Sequence, residues 1–293
     1  MSWFQEYKSS LKLIEVEELF DLIFYRPLAA IFVKIIYTTN ITPNQITTIA
    51  LIVGVTGGWL YAFNTHSYLI IAAVLLITYD VLDCSDGQLA RLKKNGTFFG
   101  RILDGVSDYF VSTSVYLGIG FGFASNSDDP LFYWGLVILA GITNAVHSIT
   151  LDYYRNRFLD YALNRESLLG DNLKEFEEEL KRESVSGGNY FNRLITWLYL
   201  KYSKLQLKLS QSSIETETKK YDPEDFYKKH KRIIHFWSYI GPTSELTFLI
   251  IASFINRLDI YLYGMITVLN LYAIILYLIQ RKINHSTKLA NNI

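Results

Sequence analysis

The chain has 293 residues, of which 50% are hydrophobic and only 19% are charged, a charge content below that of ordinary soluble proteins. Its 28 basic residues balance its 28 acidic residues, so no excess of positive charge predicts nucleic-acid binding. The apolar residues must face lipid or an unusually large core, which favours an integral membrane protein.

The first predicted element is an amphipathic segment over residues 1–40. Its run LIEVEELFDLIFY sets apolar residues at helical spacing with acids between them, and Arg26-Pro27 predicts a break before LAAIFVKIIY. The large polar face is typical of a helix that lies on the membrane surface.

A helix start is predicted in TPNQIT. Thr42 stands where a cap is expected and Pro43 at the first helical position. Asn44 then either points its side-chain amide at a ligand or only satisfies backbone groups.

Six apolar stretches approach the roughly 20 residues that are needed to cross a bilayer. Asp104 and Asp108 interrupt the third stretch, and Glu245 interrupts the fifth. The expected spans lie at about 45–64, 67–90, 98–123, 131–157, 233–256 and 259–280.

The sequence therefore predicts an all-α, polytopic membrane bundle in four parts. Residues 1–40 form the surface segment, and residues 41–158 form transmembrane helices 1 to 4. Residues 159–232 are predicted to be a cytoplasmic helical insertion, because charged and amphipathic helical runs flank an SGGN linker. Residues 233–293 supply transmembrane helices 5 and 6 and the C-terminal tail.

The loop charges predict an orientation. If both termini are cytoplasmic, the outer connections are residues 64–67, 124–130 and 255–260, and only Arg257 of the 28 basic residues lies there. Positive charge concentrates on the cytoplasmic side of membrane proteins. Both termini, and the polar ends of the second and third spans, are therefore expected in the cytoplasm.

Those polar ends carry DCSDGQLAR and, after eight residues, GRILDGVSD. On a helix, Asp83 and Asp86 share a face with Gly87, and Asp104 and Asp108 share a face on the next helix. The short connection predicts antiparallel neighbours whose small residues let the backbones approach closely. Four carboxylates would then converge, with the sole cysteine, Cys84, facing away from them.

Converging carboxylates repel one another unless cations neutralise them. All-oxygen sites suit hard divalent ions such as Mg²⁺ or Mn²⁺, and a pair of such ions is a known arrangement for displacement at phosphorus. The pattern favours a metal-dependent membrane enzyme, since intramembrane acids usually mark functional sites.

The spacing DxxDGxxAR, eight residues, GxxxDxxxD resembles the signature of the CDP-alcohol phosphotransferase family at every specified position. The resemblance covers about residues 15–158 and includes the TPNxxT-like start of the first span. It implies a transferase of substituted phosphate groups in phospholipid biosynthesis, similar to bacterial phosphatidylinositol-phosphate synthase-like members. Such an enzyme joins an alcohol to the phosphoryl group of a CDP-linked donor, often CDP-diacylglycerol, and releases CMP. The resemblance also implies the bacterial inner membrane.

The resemblance assigns roles by position. Two divalent cations, Mg²⁺ or Mn²⁺, would be held by the motif acids, and Asp108 would also be the general base for the attacking hydroxyl. The metal ligands so implied are Asp83, Asp86, Asp104 and Asp108. The residues expected around the CDP moiety are Gly87, Ala90, Arg91, Gly100 and Asn44.

The acceptor is less well specified by the sequence. In family members with a phosphorylated acceptor, basic residues near the fourth span's inner end and near the surface helix bind the phosphate, which makes Arg155, Arg157 and Lys34 candidates. Inositol phosphate is the leading acceptor, while serine, glycerol phosphate and an aminoalcohol enzyme using CDP-choline or CDP-ethanolamine stay open. The arginines equally fit the positive-inside rule alone.

Three further questions stay open at this stage. His147 is expected to be a hydrogen-bonded core residue, and Glu245 either a paired buried acid or a substrate-pocket residue. A cation transporter would also place acids in spans but gives no reason for the Gly, Ala and Arg positions. Family members often dimerise through their spans, which leaves a homodimer open.

Overall fold

In a computed structural model, the structure describes residues 14–163 and 221–290, together with Glu178, Lys181, Trp197, Leu200 and Lys201. The described part is helical apart from turns and one isolated bridge, Tyr221 to Leu289. Most of the predicted insertion, 159–232, and residues 1–13 of the predicted surface segment lie outside the described residues.

Nine α-helices carry the fold, counted over the described residues only. They are α1 (Arg26–Ile36), α2 (Pro43–Leu60), α3 (His66–Lys93), α4 (Phe98–Ala124), α5 (Pro130–Leu163), α6 (Pro223–Trp237), α7 (Pro242–Phe254), α8 (Leu258–Gly264) and α9 (Asn270–Ser286). Short 3-10 turns lie at Ile14–Val16, Tyr61–Phe63 and Ser238–Ile240, and π-turns at Asp21–Tyr25 and Met265–Leu269.

Four stretches of the described chain are long and apolar enough to cross a membrane: Pro43–Phe63, His66–Lys93, Pro130–Leu163 and Leu258–Ser286. They match the predicted spans 1, 2, 4 and 6. Helix α4 is 27 residues long, but its first turns carry the motif acids, and α7 has only 13 residues. The six predicted spans are therefore confirmed in four cases.

The predicted fifth span, 233–256, is not one helix. Helix α6 ends at Trp237, a 3-10 turn follows, and α7 begins at Pro242 after the extended Gly241. Proline has no backbone N–H to donate, so it is tolerated at a helix start and not within a helix. The fourth helix, by contrast, continues past the predicted boundary at 158 to Leu163.

The start of α2 is where the sequence places it. The Thr42 hydroxyl accepts a hydrogen bond from the Gln45 N–H at 3.4 Å, and the Gln45 side chain accepts one from the Thr42 N–H at 3.0 Å. This reciprocal cap satisfies two backbone N–H groups at the helix start, and Pro43 has no N–H group that would need a partner. The cap fixes where the polar residues of TPNQIT stand on the helix.

The chain divides into two compact units, of which the first comprises residues 1–147 and 238–272. In this unit α2 packs against both α3 and α4, while α1 and α7 pack against α3. A Cβ built on Gly58 would lie 2.7 Å from the backbone nitrogen of Val115 and would also collide with Ser114. Only glycine allows α2 and α4 to approach this closely.

Helices α3 and α4 are neighbours through their side chains, since the Tyr79 hydroxyl donates to Asp108 at 2.6 Å. The extensive contacts of both helices are with α2, and the predicted close approach of the α3 and α4 backbones is not among them. A Cβ on Gly100 would collide with the side chain of Asn44 in α2, and the three atoms nearest to a Cβ on Gly87 all belong to Arg91 of its own helix. The small residues of the motif therefore leave room for side chains and not for a facing backbone.

The second unit comprises residues 148–237 and 273–293. Trp237 is fully buried there, stacks on Tyr154 with ring centroids 4.5 Å apart, and donates a hydrogen bond to Gln280 at 3.2 Å. His230 lies between the Phe226 carbonyl and Asn284, at 2.9 and 3.0 Å. These contacts join the end of α5, α6 and α9.

The N-terminal segment departs from its prediction in two ways. The expected break at Arg26-Pro27 is absent, because the π-turn Asp21–Tyr25 runs directly into α1 with Pro27 in its first turn, where the missing N–H is tolerated. The expected solvated polar face is also wrong for three acids, since Glu17, Glu18 and Asp21 are at most 9% exposed.

Apolar side chains cover the outside of this segment instead. Ile23 is 68% exposed and Ile35 is 70% exposed. Inside, Arg26 pairs with Glu17 at 2.7 Å, and Glu18 accepts a hydrogen bond from the Ser244 N–H at 3.1 Å. The polar face is thus the packed face, which suits a segment whose outer face meets lipid.

Candidate active site

Three of the four motif acids converge where α3 ends and α4 begins. Carboxylate oxygens of Asp83, Asp86 and Asp104 all lie within 4.8 Å of one another. Asp86 is buried, whereas Asp83 and Asp104 are half-buried. The cluster is therefore enclosed on the side of Asp86 and reachable on the other.

The spacing of the acids explains how two helices form the cluster. Asp83 and Asp86 are three residues apart on α3, so one turn of that helix presents both. Asp104 comes from the second turn of α4, whose start is fixed because the Thr97 hydroxyl accepts a hydrogen bond from the Gly100 N–H at 3.0 Å. A four-residue connection with a left-handed Lys94 returns the chain from α3 to α4.

The third helix of the site, α2, fixes one of these acids. The Thr47 hydroxyl donates a hydrogen bond to Oδ2 of Asp86, and both residues are buried. A donor in this position orients the carboxylate relative to the other two acids. The sequence analysis did not single out Thr47, although it lies one turn after Asn44 in the same TPNQIT run.

Asp108 is placed differently from the other three acids. It lies one turn beyond Asp104, is exposed, and accepts a hydrogen bond from the Tyr79 hydroxyl at 2.6 Å. It is not part of the group of three. Its assignment as a metal ligand and as the general base stays a prediction, and Tyr79 is a second residue of the site that the sequence analysis missed.

The residues expected around a CDP moiety surround the same helix ends. The Arg91 guanidinium lies beside Gly87, 3.3 Å from the position of a built Cβ, and Ala90 lies near Gly96 of the connection. Asn44 donates a hydrogen bond to the Thr97 hydroxyl at 3.2 Å, at the start of α4. The Asn44 amide therefore hydrogen-bonds to another residue of the protein. The Asn44 side chain also lies next to Gly100, which places it at the site.

The three residues expected to bind the acceptor lie elsewhere in the chain. Lys34 is exposed on α1 of the first unit. In the second unit, Arg155 pairs with Asp152 at 3.4 Å, and Arg157 donates to the Tyr153 hydroxyl at 2.7 Å. Their role in acceptor binding stays a prediction.

His147 and Glu245 form a buried pair. The Nδ1 atom of His147 lies 2.6 Å from Glu245, whose second carboxylate oxygen accepts a hydrogen bond from Asn144 at 2.5 Å. Both His147 and Glu245 are 1% exposed. The expectations of a hydrogen-bonded core histidine and of a paired buried acid are confirmed, and the partners are 98 residues apart in the chain.

The cluster can hold a divalent cation by its chemistry. It offers carboxylate oxygens only, which are the donors that Mg²⁺ and Mn²⁺ prefer, and its partial exposure leaves positions for water or substrate. The four-acid site predicted from the sequence is thus found with three acids in mutual contact range.

Known proteins match the part of the chain that carries this cluster. Residues 40–157 match the CDP-alcohol phosphatidyltransferase family. A phosphatidylinositol phosphate synthase of Corynebacterium glutamicum is 28% identical over 131 residues, which is 45% of this chain and 55% of the relative. A bifunctional IPC transferase and DIPP synthase of Thermococcus kodakarensis is 25% identical over 119 residues, 41% of this chain and 26% of the relative. The chain thus spans about half of the first relative and a quarter of the second.

Proposed function

We propose that the protein is an integral membrane enzyme that transfers a phosphatidyl-type group from CDP-diacylglycerol to a small polar alcohol, with release of CMP. The match of residues 40–157 to the CDP-alcohol phosphatidyltransferase family and the four stretches long and apolar enough to cross a membrane support the proposal. Enzymes of this family use a CDP-linked donor and an alcohol acceptor. The observation that carries the proposal is the convergence of Asp83, Asp86 and Asp104 within 4.8 Å. Inositol phosphate is the proposed acceptor, in keeping with the C. glutamicum relative.

The three converging acids are the proposed ligands of Mg²⁺ or Mn²⁺. Bound divalent cations neutralise the donor diphosphate and stabilise the leaving phosphate of CMP. Thr47 holds Asp86 in one orientation, which reduces the reorganisation needed when a ligand binds. The Arg91 guanidinium, folded over Gly87, is positioned to form paired hydrogen bonds with a phosphate group.

Asp108 is the proposed base. Its carboxylate takes the proton of the acceptor hydroxyl while that oxygen forms a bond to the phosphorus of the diacylglycerol phosphate and the bond from phosphorus to CMP breaks. Tyr79 donates a hydrogen bond to Oδ1 of Asp108 at 2.6 Å, which holds the carboxylate in one orientation. The exposure of Asp108 keeps it within reach of an incoming alcohol.

The orientation belongs to the same proposal. We place both termini and the three-acid cluster in the cytoplasm, at the bacterial inner membrane, because the predicted outer connections hold one basic residue. Single cysteines at Lys94 and at Ser127 test this, since the native Cys84 is buried. A membrane-impermeant thiol reagent added to intact cells should label Ser127→Cys only, and labelling of Lys94→Cys alone would reverse the orientation.

The test of the activity is CMP release by the purified protein with CDP-diacylglycerol and Mg²⁺ or Mn²⁺. The acceptors are inositol phosphate, inositol, serine and glycerol phosphate, with a no-acceptor control and with CDP-choline and CDP-ethanolamine as other donors. CMP release that depends on inositol phosphate is the expected result. Release with another acceptor would keep the reaction and replace the acceptor, whereas no release and no binding of CMP or CDP-lipids would refute the proposal.

Two variants test the assigned roles. Asp108→Asn should abolish transfer and leave nucleotide binding largely intact, because the amide cannot accept the proton. Asp128→Asn, in the exposed connection before α5, is the matched control and should keep full activity. Equal loss of transfer and nucleotide binding in Asp108→Asn would show that Asp108 is a metal ligand instead.

A further inference from the structure

A second group of metal-binding side chains lies on the other side of α3, against the N-terminal segment. It comprises Asp21 from the π-turn and Asp80 and Cys84 from α3, and their donor atoms all lie within 4.8 Å of one another. All three residues are buried, with exposures of 9%, 5% and 8%. Asp80 precedes the family motif by three residues and has no role in it.

The Asp80 carboxylate is the observation that points to a ligand. Its Oδ2 atom is buried and has no hydrogen-bond partner. An ionised carboxylate away from water is stable only when a cation or several donors face it. One carboxylate oxygen of Asp80 lies within 4.8 Å of donor atoms of Asp21 and Cys84, so a cation held by the three residues would also neutralise the Asp80 carboxylate.

The charges around the cluster also favour a cation. Four acids are buried in this region, namely Glu17, Glu18, Asp21 and Asp80, against the buried guanidinium of Arg26. Arg26 pairs with Glu17 at 2.7 Å. The guanidinium of the half-buried Arg91 also lies in this region, close to Arg26 and Glu17. Four acids against two guanidinium groups still leave an excess of negative charge, which low polarity makes costly.

The donor set decides which ion fits. The Cys84 thiol donates a hydrogen bond to Asp21 Oδ1 at 3.6 Å, and a metal ion that replaces the thiol proton could bridge the same two atoms. In tetrahedral zinc sites the metal lies about 2.3 Å from sulfur and about 2.1 Å from oxygen, which separates the two donors by about 3.6 Å. A thiolate also selects borderline or soft ions over Mg²⁺.

We propose that Asp21, Asp80 and Cys84 bind a divalent transition-metal-type cation, namely Zn²⁺. Co²⁺ serves as its spectroscopic probe. Binding releases the Cys84 thiol proton to solvent, and a water or another donor takes the fourth position. The ion fastens the N-terminal segment to α3, since Asp21 belongs to one and the other two ligands to the other. The proposal does not depend on the transferase activity.

The test is a Co²⁺ titration of the full-length protein in detergent with the thiol kept reduced. Because Cys84 is the sole cysteine, a thiolate-to-cobalt charge-transfer band can arise only at this group, whatever binds to the three-acid cluster. The band should appear with a one-to-one end point and be displaced by Zn²⁺. Zn²⁺ should also raise the unfolding temperature of the wild-type protein.

Variants separate the two clusters. Cys84→Ser should remove the band, and Asp80→Asn should weaken Co²⁺ binding by at least about 10-fold, since even outer-shell changes at metal sites cost about 10- to 100-fold. Asp104→Asn, which alters only the three-acid cluster, should keep the band and its affinity.

Three results would overturn the proposal. The first is a wild-type titration without a thiolate band, and this decides the matter even where a variant fails to fold. The second is loss of the band in Asp104→Asn to the same extent as in Asp80→Asn, which would place the ion at the three-acid cluster. The third is full Co²⁺ affinity in Asp80→Asn.

Discussion

The hydrogen bond from Thr47 to Asp86 allows a quantitative prediction about metal affinity. Thr47→Val keeps the shape of the side chain and removes its only donor. Thr47 is 3% exposed and Asp86 is 6% exposed, so water cannot readily replace the lost donor. A hydrogen bond to a charged group contributes about 1.5–3 kcal/mol, and about 1.4 kcal/mol corresponds to a tenfold change in affinity.

We therefore expect Thr47→Val to raise the Mg²⁺ concentration for half-maximal CMP release by about 10- to 100-fold. Turnover at saturating Mg²⁺ should fall much less, because Thr47 touches a proposed ligand and not the reacting atoms. Mn²⁺ binding, measured by electron paramagnetic resonance, should weaken by a similar factor. This second measurement does not depend on knowing the acceptor.

Two variants control for changes in packing. Thr47→Ser keeps the hydroxyl and should restore Mg²⁺ affinity to within a few-fold of the wild type, although it loses a methyl group. Thr48→Val removes the neighbouring exposed hydroxyl, which donates to the Asn44 carbonyl at 2.8 Å, and should leave Mg²⁺ affinity unchanged. If Thr47→Val had an unaltered Mg²⁺ dependence, Asp86 would not act through a bound cation.

Three further variants probe the packing and the proposed base. Gly58→Ala should destabilise the protein by about 1–3 kcal/mol through overpacking between α2 and α4, whereas Gly135→Ala, with no heavy atom within 4 Å of the added carbon, should be neutral; equal unfolding temperatures would contradict this. Tyr79→Phe removes the donor to Asp108 and should lower turnover about 10-fold with little change in the KM for CDP-diacylglycerol. Unchanged turnover would argue against Asp108 as the base oriented by Tyr79. Glu245→Ala breaks a buried pair and should cost about 3–5 kcal/mol in the free energy of unfolding, while Glu245→Gln should cost less.

Local signals explain the parts of the fold that the sequence predicted well. The start of α2 depends on Thr42, Pro43 and Gln45, which are adjacent in the chain, and the facing of Asp83 and Asp86 depends only on their spacing along one helix. These features need no knowledge of tertiary packing. The spans at α2, α3, α5 and the last helices follow likewise from the length of apolar runs.

Partners across the fold could not be read in the same way. Thr47 contacts an acid 39 residues away, Tyr79 contacts one 29 residues away, and His147 finds Glu245 at a separation of 98 residues. Each pairing depends on which face of a helix meets which neighbour, and the sequence analysis did not foresee that α2 packs extensively against both α3 and α4. The residue types predicted that these side chains would be functional or paired, but the sequence did not predict which partner each of them contacts.

The N-terminal segment shows why amphipathicity alone misleads in a membrane. Periodic polar residues reveal two faces of a helix, but they do not say which face is packed, because lipid and protein interior are both apolar. In water the acids of LIEVEELFDLIFY would face outward. Here Glu17 and Glu18 are buried with Arg26 and Ser244 as partners, and the apolar residues face outward.

The two acidic clusters lie on different faces of the same helix, α3. At 3.6 residues per turn, the pair Asp80 and Cys84 and the pair Asp83 and Asp86 are rotated by about 110° from each other around the helix axis. One helix therefore presents one pair to the N-terminal segment and the other to α2 and α4. A cation that fastens Asp80 and Cys84 to Asp21 would fix the rotation of α3, and with it the approach of Asp86 to Thr47. The acid that stands outside the family motif would in this way support the acids within it.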